Sequence, residues 1–85
     1  MAVYKILTPK KVTKRIHKLP HHVQLRLINH LDDLTVNPNR GLKLQGELNA
    51  YQKLRVGDYR IIFSVSHKAH IVKILKIEHR QGVYK

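Results

Sequence analysis

The sequence predicts an α+β domain in which two N-terminal helices pack on one face of an antiparallel sheet, in the order β-α-α-β-β-β. Its 85 residues are 42% hydrophobic, which is enough for one modest core but not for two. Apolar residues in the first half of the chain recur with a helical period, whereas those in the second half alternate. We therefore expect a single domain over residues 1–85.

The first half of the chain predicts one strand and a pair of helices. Residues 3–7 form a short run of β-formers, and Thr8 and Pro9 fit the N-cap and first residue of a helix. Apolar residues then recur at helical spacing over residues 10–19 and 21–36, with a proline between the two runs. These segments predict an αα-hairpin.

The second half predicts three strands. Residues 51–56 and 59–66 alternate around Gly57 and Asp58, which is typical of a β-hairpin with a two-residue turn. A third β run covers residues 70–78. The side chains expected on one face of the second and third strands are Tyr59, Ile61, Phe63, Val65, Ile71, Leu75 and Ile77.

Charge is the most informative part of the composition. Seventeen Lys and Arg against five Asp and Glu give a net charge of +12, which implies nucleic acid or an acidic protein as the partner. No apolar stretch is long enough to span a bilayer, and we expect no membrane partner. The chain has no cysteine, which excludes a thiol nucleophile and favours a reducing cytoplasm. The scattered histidines and carboxylates predict neither a metal nor a cofactor.

Five residues of the second half are candidates for an anion site. Lys53 and Arg55 are two apart on a predicted strand, so they share a face, and Arg60 follows the turn. Arg80 and Tyr84 come after the last strand and could reach the same groove. Guanidinium groups bind phosphate in a bidentate manner, and a tyrosine can stack on an unpaired base. The alternative is that these cations are ordinary solvated strand residues.

Other residues near this group have less specific interpretations. Tyr51, Tyr59 and Phe63 are expected in the core rather than on a base-stacking surface. His79 is adjacent to Arg80, and neighbouring strand residues face opposite sides, so its imidazole is expected to point away from the arginine.

Three stretches of the chain resemble a known toxin family: residues 41–46, 51–63 and 77–85. The most specific pieces are the Leu-Arg-Val-Gly-Asp-Tyr-Arg run that begins at Leu54 and the His-Arg-x-x-x-Tyr pattern that begins at His79. Together they are similar to the RelE/ParE superfamily of bacterial and archaeal toxins, whose β-α-α-β-β-β order is also the one predicted here.

The resemblance implies a RelE-like toxin that cleaves messenger RNA in the ribosomal A site and is held inactive by an antitoxin with an acidic wrapping segment. It assigns Lys53 and Arg55 to the basic strand positions, Arg60 to the transition-state clamp, Arg80 to the leaving-group side and Tyr84 to stacking on or orienting the substrate. Of the two strand cations Lys53 is the better proton acceptor, because a guanidinium is effectively always protonated.

Two alternatives remain open at the level of sequence. The ParE branch of the superfamily inhibits DNA gyrase without cutting RNA, and generally lacks this basic and tyrosine set. The second alternative is a basic module that binds RNA without cleaving it, in which each of these charges would add a small separate contribution to the binding affinity.

Overall fold

The chain folds in the predicted order of elements, with one short strand added between the helices and the predicted β-hairpin. The computed structural model describes residues 3–40, 42–43 and 51–79. The elements are β1 (Lys5–Leu7), α1 (Lys10–His17), α2 (His21–Val36), a 3₁₀ turn (Pro38–Arg40), β2 (Leu42–Lys43), β3 (Tyr51–Val56), β4 (Tyr59–Ser66) and β5 (Ile71–His79).

Each helix begins directly after a proline. The Pro9 carbonyl accepts hydrogen bonds from the backbone N–H groups of the first turn of α1, and the Pro20 carbonyl does the same for α2. Pro9 is therefore the N-cap residue, and no side chain caps α1, so the prediction that Thr8 is the N-cap was wrong. The Gln24 side-chain amide donates to the Leu19 carbonyl at 2.8 Å and links α2 to the short connection that follows α1. No helix in the described ranges is long and apolar enough to cross a membrane.

The described strands form one sheet in the order β1-β5-β4-β3-β2. The β2–β3, β3–β4 and β4–β5 pairs are antiparallel, whereas β1 pairs with β5 in parallel, with Lys5 opposite Ile71. The α+β fold class is confirmed. The parallel edge pair is a feature that alternation alone does not predict. The spacing of apolar residues along a strand does not show whether the strand runs parallel or antiparallel to its neighbour.

The core lies between the helices and one face of the sheet. Its buried members are Val12, Leu27, Leu34, Val56, Ile61, Phe63, Val72, Ile74 and Ile77. Tyr59 and Val65 pack against this cluster from β4, so the face predicted for the second strand is confirmed. Alternation then places the intervening β4 residues on the opposite side of the sheet.

A β-bulge changes which residues of β5 face the core. Ile62 pairs with Lys76, but Phe63 pairs with Ile74, so Leu75 is an extra residue with no partner on β4. Leu75 is therefore exposed, while Val72 and Ile74 are buried. The expectation that Ile71 and Leu75 share the face of Ile77 was wrong, because the bulge reverses the alternation between Leu75 and Ile77.

The first strand is also held at its N-terminal end. The Tyr4 hydroxyl lies 2.8 Å from His67 Nδ1, and its ring makes an edge contact with the His70 ring. The Tyr4 backbone N–H donates to the Thr35 carbonyl, and the Lys5 N–H to the His70 carbonyl, both at 2.8 Å. These bonds join β1 to the end of α2 and to the β4–β5 turn.

Candidate anion-binding cleft

The face of the sheet away from the helices carries the candidate site, and we call it the outer face. Cross-strand register places its side chains in rows, because residues directly opposite each other in a sheet project to the same side. One row contains Tyr51 and Ser64, the next Lys53 and Ile62, and the third Arg55 and Arg60. On β5 these rows continue with Lys73, Lys76 and Glu78, respectively.

A cleft of about 280 Å³ lies on this face. It is lined by Tyr51, Lys53, Arg60, Ile62, Leu75, Lys76 and Glu78. Ile62 is only 6% exposed although it points away from the core, and the bulged Leu75 stands beside the same cleft. The cleft therefore joins an apolar surface to several charged side chains, a combination that suits a ligand with a flat apolar part and an anionic part.

The structure brings two of the predicted site residues into this cleft. Lys53 and Arg60 both line it. Arg55 lies on the same face opposite Arg60, but its Nε donates to the Gly57 carbonyl at 3.2 Å, so its guanidinium is directed towards the turn and does not line the cleft. Arg80 and Tyr84 lie outside the described residues.

Glu78 is the acidic neighbour of Arg60 within the described part of the chain. Its Nη2 is 3.6 Å from Glu78 Oε1, and the other carboxylate oxygen of Glu78 is 3.3 Å from Lys76 Nζ. The Nε of Arg60 is buried and has no hydrogen-bond partner among the residues that the structure describes. Arg60 thus presents mainly the outer edge of its guanidinium to the cleft.

Sequence reasoning missed three polar residues of the cleft. Tyr51 was expected in the core, and this expectation was wrong, because Tyr51 has the same parity on β3 as Lys53 and therefore faces outward. Lys76 and Glu78 also line the cleft. Strand alternation was a sufficient signal for all three, because Tyr51 has the parity of Lys53, and Lys76 and Glu78 alternate with Ile77, which was expected in the core.

The neighbouring aromatic and histidine residues lie elsewhere. Phe63 is fully buried, and Tyr59 packs against the core. His79 contacts the Tyr59 ring at a centroid distance of 4.6 Å, on the side of the sheet that the helices cover. Within residues 3–40, 42–43 and 51–79, no group of three or more histidines and carboxylates lies close enough together to hold a metal ion.

The chain is similar to proteins of toxin–antitoxin systems. A family model described as the ParE toxin of the type II toxin–antitoxin system parDE matches residues 6–84. Toxin RelG of Mycobacterium tuberculosis is 31% identical over 72 residues, which are 82% of this chain and 83% of RelG.

Solved structures agree with the sequence comparison. The RelBE2 toxin–antitoxin complex of Mycobacterium tuberculosis contains a chain with a TM-score of 0.82 and 26% identity, over 92% of this chain and 99% of that one. The archaeal RelE–RelB complex of Pyrococcus horikoshii gives a TM-score of 0.78 at 33% identity, over 94% of this chain and 97% of that one.

Proposed function

We propose an activity for this chain, which belongs to the ParE toxin family and so is the toxin of a type II toxin–antitoxin system of the RelE/ParE superfamily. The protein inhibits translation by cutting messenger RNA on the ribosome. The observation that supports this activity is the outer-face cleft, where Lys53 and Arg60 stand beside the aromatic ring of Tyr51 and the apolar Ile62. A nucleotide has a matching composition, with an anionic phosphate and a flat base.

The reaction we propose is an internal transesterification. The ribose 2′-hydroxyl attacks the adjacent phosphorus, a 2′-O–P bond forms, and the P–O5′ bond breaks, which leaves a cyclic phosphate and a 5′-hydroxyl. The proton of the 2′-hydroxyl must be accepted and the 5′-oxygen must receive one, while the phosphorane gains negative charge. Because the nucleophile belongs to the substrate, the protein supplies only proton transfer and charge stabilisation.

The residues divide this work by position and chemistry. Lys53 accepts the proton, since of the two predicted site residues that line the cleft it is the amine, whereas the Arg60 guanidinium is effectively always protonated. Arg60 neutralises the phosphorane. Arg55, at the edge of the same face, adds positive charge. The roles of Arg80 on the leaving-group side and of Tyr84 in stacking rest on the family resemblance.

The partners we propose follow from the relatives and from charge. The solved relatives are complexes of a RelE toxin with its RelB antitoxin, and a chain of net charge +12 would attract an acidic antitoxin segment. The same charge favours docking on ribosomal RNA. Binding of either partner would use positive charges in addition to the cations that line the cleft.

The first experiment measures cleavage during translation. Wild type and the variants Arg60→Gln, Lys53→Gln and Arg80→Ala are added to a translation extract, and new 5′ ends in the message are mapped by primer extension. We expect cuts within translated codons for wild type and a loss of at least about 100-fold for each variant, which is the usual effect of removing a group that stabilises transition-state charge or transfers a proton.

The matched control is Lys68→Gln, which removes one positive charge from the exposed β4–β5 turn. It should cut at close to the wild-type rate, because it lies outside the cleft. Equal losses in Lys68→Gln and Lys53→Gln would contradict a catalytic cleft and support plain electrostatic binding of RNA. Thermal melts of all variants establish that the losses do not come from unfolding.

DNA gyrase inhibition is the second candidate, and the ParE description of the matching family model favours it. The two activities separate in one experiment. If cells stop growing while their messages stay intact, and purified gyrase no longer supercoils DNA in the presence of the protein, gyrase inhibition replaces the RNA cleavage proposal. If messages are cut within codons and gyrase supercoils DNA normally, the gyrase candidate is excluded.

A further inference from the structure

Among the residues that the structure describes, the outer face has one acidic side chain beside several basic ones. The described side chains of this face include five cations, which are Lys53, Arg55, Arg60, Lys73 and Lys76. Glu78 is the acidic residue in the rows that β3, β4 and β5 form there. The other described carboxylates lie elsewhere, with Asp32 and Asp33 on α2 and Asp58 in the β3–β4 turn. An isolated carboxylate in this setting has a strong local effect on anion binding.

Glu78 lies at the position where an anion would contact the cleft cations. It is directly opposite Arg60 in the β4–β5 register and two residues from Lys76, with one carboxylate oxygen near each cation. The Arg60 and Glu78 side chains are both 29% exposed, whereas Lys76 is 59% exposed. The pair is thus accessible from the cleft yet partly shielded from water.

A carboxylate and a phosphate make the same kind of contact with a guanidinium, because both present oxygens that accept its N–H groups. Arg60 Nε is buried, so an incoming anion has to use the Nη edge that faces Glu78. Since Nη2 already faces Oε1, the two anions compete for this edge.

We infer that Glu78 determines the specificity of this cleft: in the substrate-free protein its carboxylate occupies the phosphate position at Arg60 and Lys76, so that an anion must displace it. The inference rests on the proposed function in taking RNA phosphate as the ligand. A free phosphate ion, or RNA that is not bound to a ribosome, gains little binding free energy when it replaces the carboxylate. RNA that is also held elsewhere, as on a ribosome, has the additional contacts that displace the carboxylate.

The test uses a probe that the protein cannot cut. A short fluorescent oligonucleotide of 2′-deoxynucleotides carries phosphates and bases but lacks the 2′-hydroxyl nucleophile. Its dissociation constant is measured by anisotropy for wild type, Glu78→Gln and Asp32→Asn. We expect Glu78→Gln to bind about two- to five-fold tighter, which corresponds to removing a partly exposed ion pair. Asp32→Asn loses the same charge on α2 and should change binding less than Glu78→Gln does.

Two further variants separate competition from a general change in charge. Glu78→Asp keeps the net charge but shortens the side chain by one carbon, and its affinity should lie between those of wild type and Glu78→Gln. In an Arg60→Gln background, Glu78→Gln should tighten binding clearly less than it does in wild type, because only the competition at Lys76 remains. Glu78→Asp also serves if Glu78→Gln does not fold.

Three results would overturn the inference. They are equal tightening by Glu78→Gln and Asp32→Asn, tightening that persists in full without Arg60, and weaker binding by Glu78→Gln, which would mean that Glu78 holds Arg60 in its binding orientation. None of these depends on cleavage. A protein that fails to cut RNA but shows the Arg60-dependent shift would retain this inference and lose the proposed activity.

Discussion

Gly57 sets the geometry of the turn between β3 and β4. Its φ is +61°, and among the described residues of this turn it has the only positive φ, the pattern of a type II′ turn with glycine at the first central position. A Cβ added there would lie 3.1 Å from Arg26 Nη1. The turn therefore depends on glycine for its backbone and also provides the carbonyl that holds Arg55.

Replacing Gly57 by alanine should destabilise the protein. An L-residue in this conformation costs about 1–2 kcal/mol, whereas the Arg26 side chain can move aside at little cost. Urea denaturation measures the change in the free energy of unfolding. Asp58→Ala, at the second turn position, is the control and should change it by less than about 0.5 kcal/mol. Equal effects of the two substitutions would show that the positive φ is not the cause.

At this scale the sequence predicts side-chain direction well wherever the strand is regular. Lys53 and Arg55 share a face as their spacing predicts, and Arg60 lies opposite Arg55. The same alternation applies to Tyr51, so assigning it to the core gave general hydrophobicity more weight than strand parity. The association of Glu78 with Arg60 depends on the β4–β5 register, which no local pattern in the sequence contains.

Helix α2 packs one of its faces into the core between the helices and the sheet. Leu27 and Leu34 are fully buried on its inner face, while Leu25 is 50% exposed on the other side. Two leucines only two residues apart on one helix thus have opposite environments, as the 3.6-residue period requires.

Truncating Leu27 should therefore be far more harmful than truncating Leu25. Leu27→Ala removes a fully buried side chain and leaves a cavity, which costs about 2–5 kcal/mol. Leu25→Ala should cost less than about 1 kcal/mol, since half of its side chain is already in water. Thermal unfolding of the two variants beside wild type measures the difference. Similar melting temperatures for both would contradict the packing of α2 described above.

Element boundaries follow local chemistry and are predictable for that reason. The Gly57–Asp58 turn divides β3 from β4 where the sequence indicates, and Pro20 separates the two helices. The bulge at Leu75 was not predicted, because an extra residue in one strand is defined only by its pairing with the neighbour. The parallel β1–β5 pair was missed for the same reason.

Positive charge covers both sides of the whole molecule. Helix α1 carries Lys10, Lys11, Lys14 and Arg15 with no acidic residue, and the outer face carries the five cations described above on the opposite side of the sheet. Like charges at this density repel one another in the compact state, so the folded protein should be sensitive to ionic strength.

Added salt should therefore raise the melting temperature of the isolated chain. The Debye length falls from about 10 Å at 0.1 M to about 3 Å at 1 M, and relief of about 1 kcal/mol of repulsion raises the melting temperature by roughly 4–8 °C for a domain of this size. A Lys10→Gln, Lys14→Gln double variant should show a smaller rise. A melting temperature that falls with sodium chloride would mean that attractive pairs outweigh the repulsion.

The parallel pairing of β1 with β5 also determines when the chain can fold during synthesis. Lys5 leaves the ribosome before the helices, but its partner Ile71 emerges only after α1, α2 and the strands β2 to β4. The α1–α2 hairpin likewise lacks the sheet against which it packs until β4 and β5 have appeared. Contacts between segments that lie far apart along a chain form slowly, because closing a long loop precedes any gain from the contact. A nascent toxin of this topology cannot adopt its native state until β5 has been made, so its apolar helix faces stay open to a chaperone or an antitoxin up to that point.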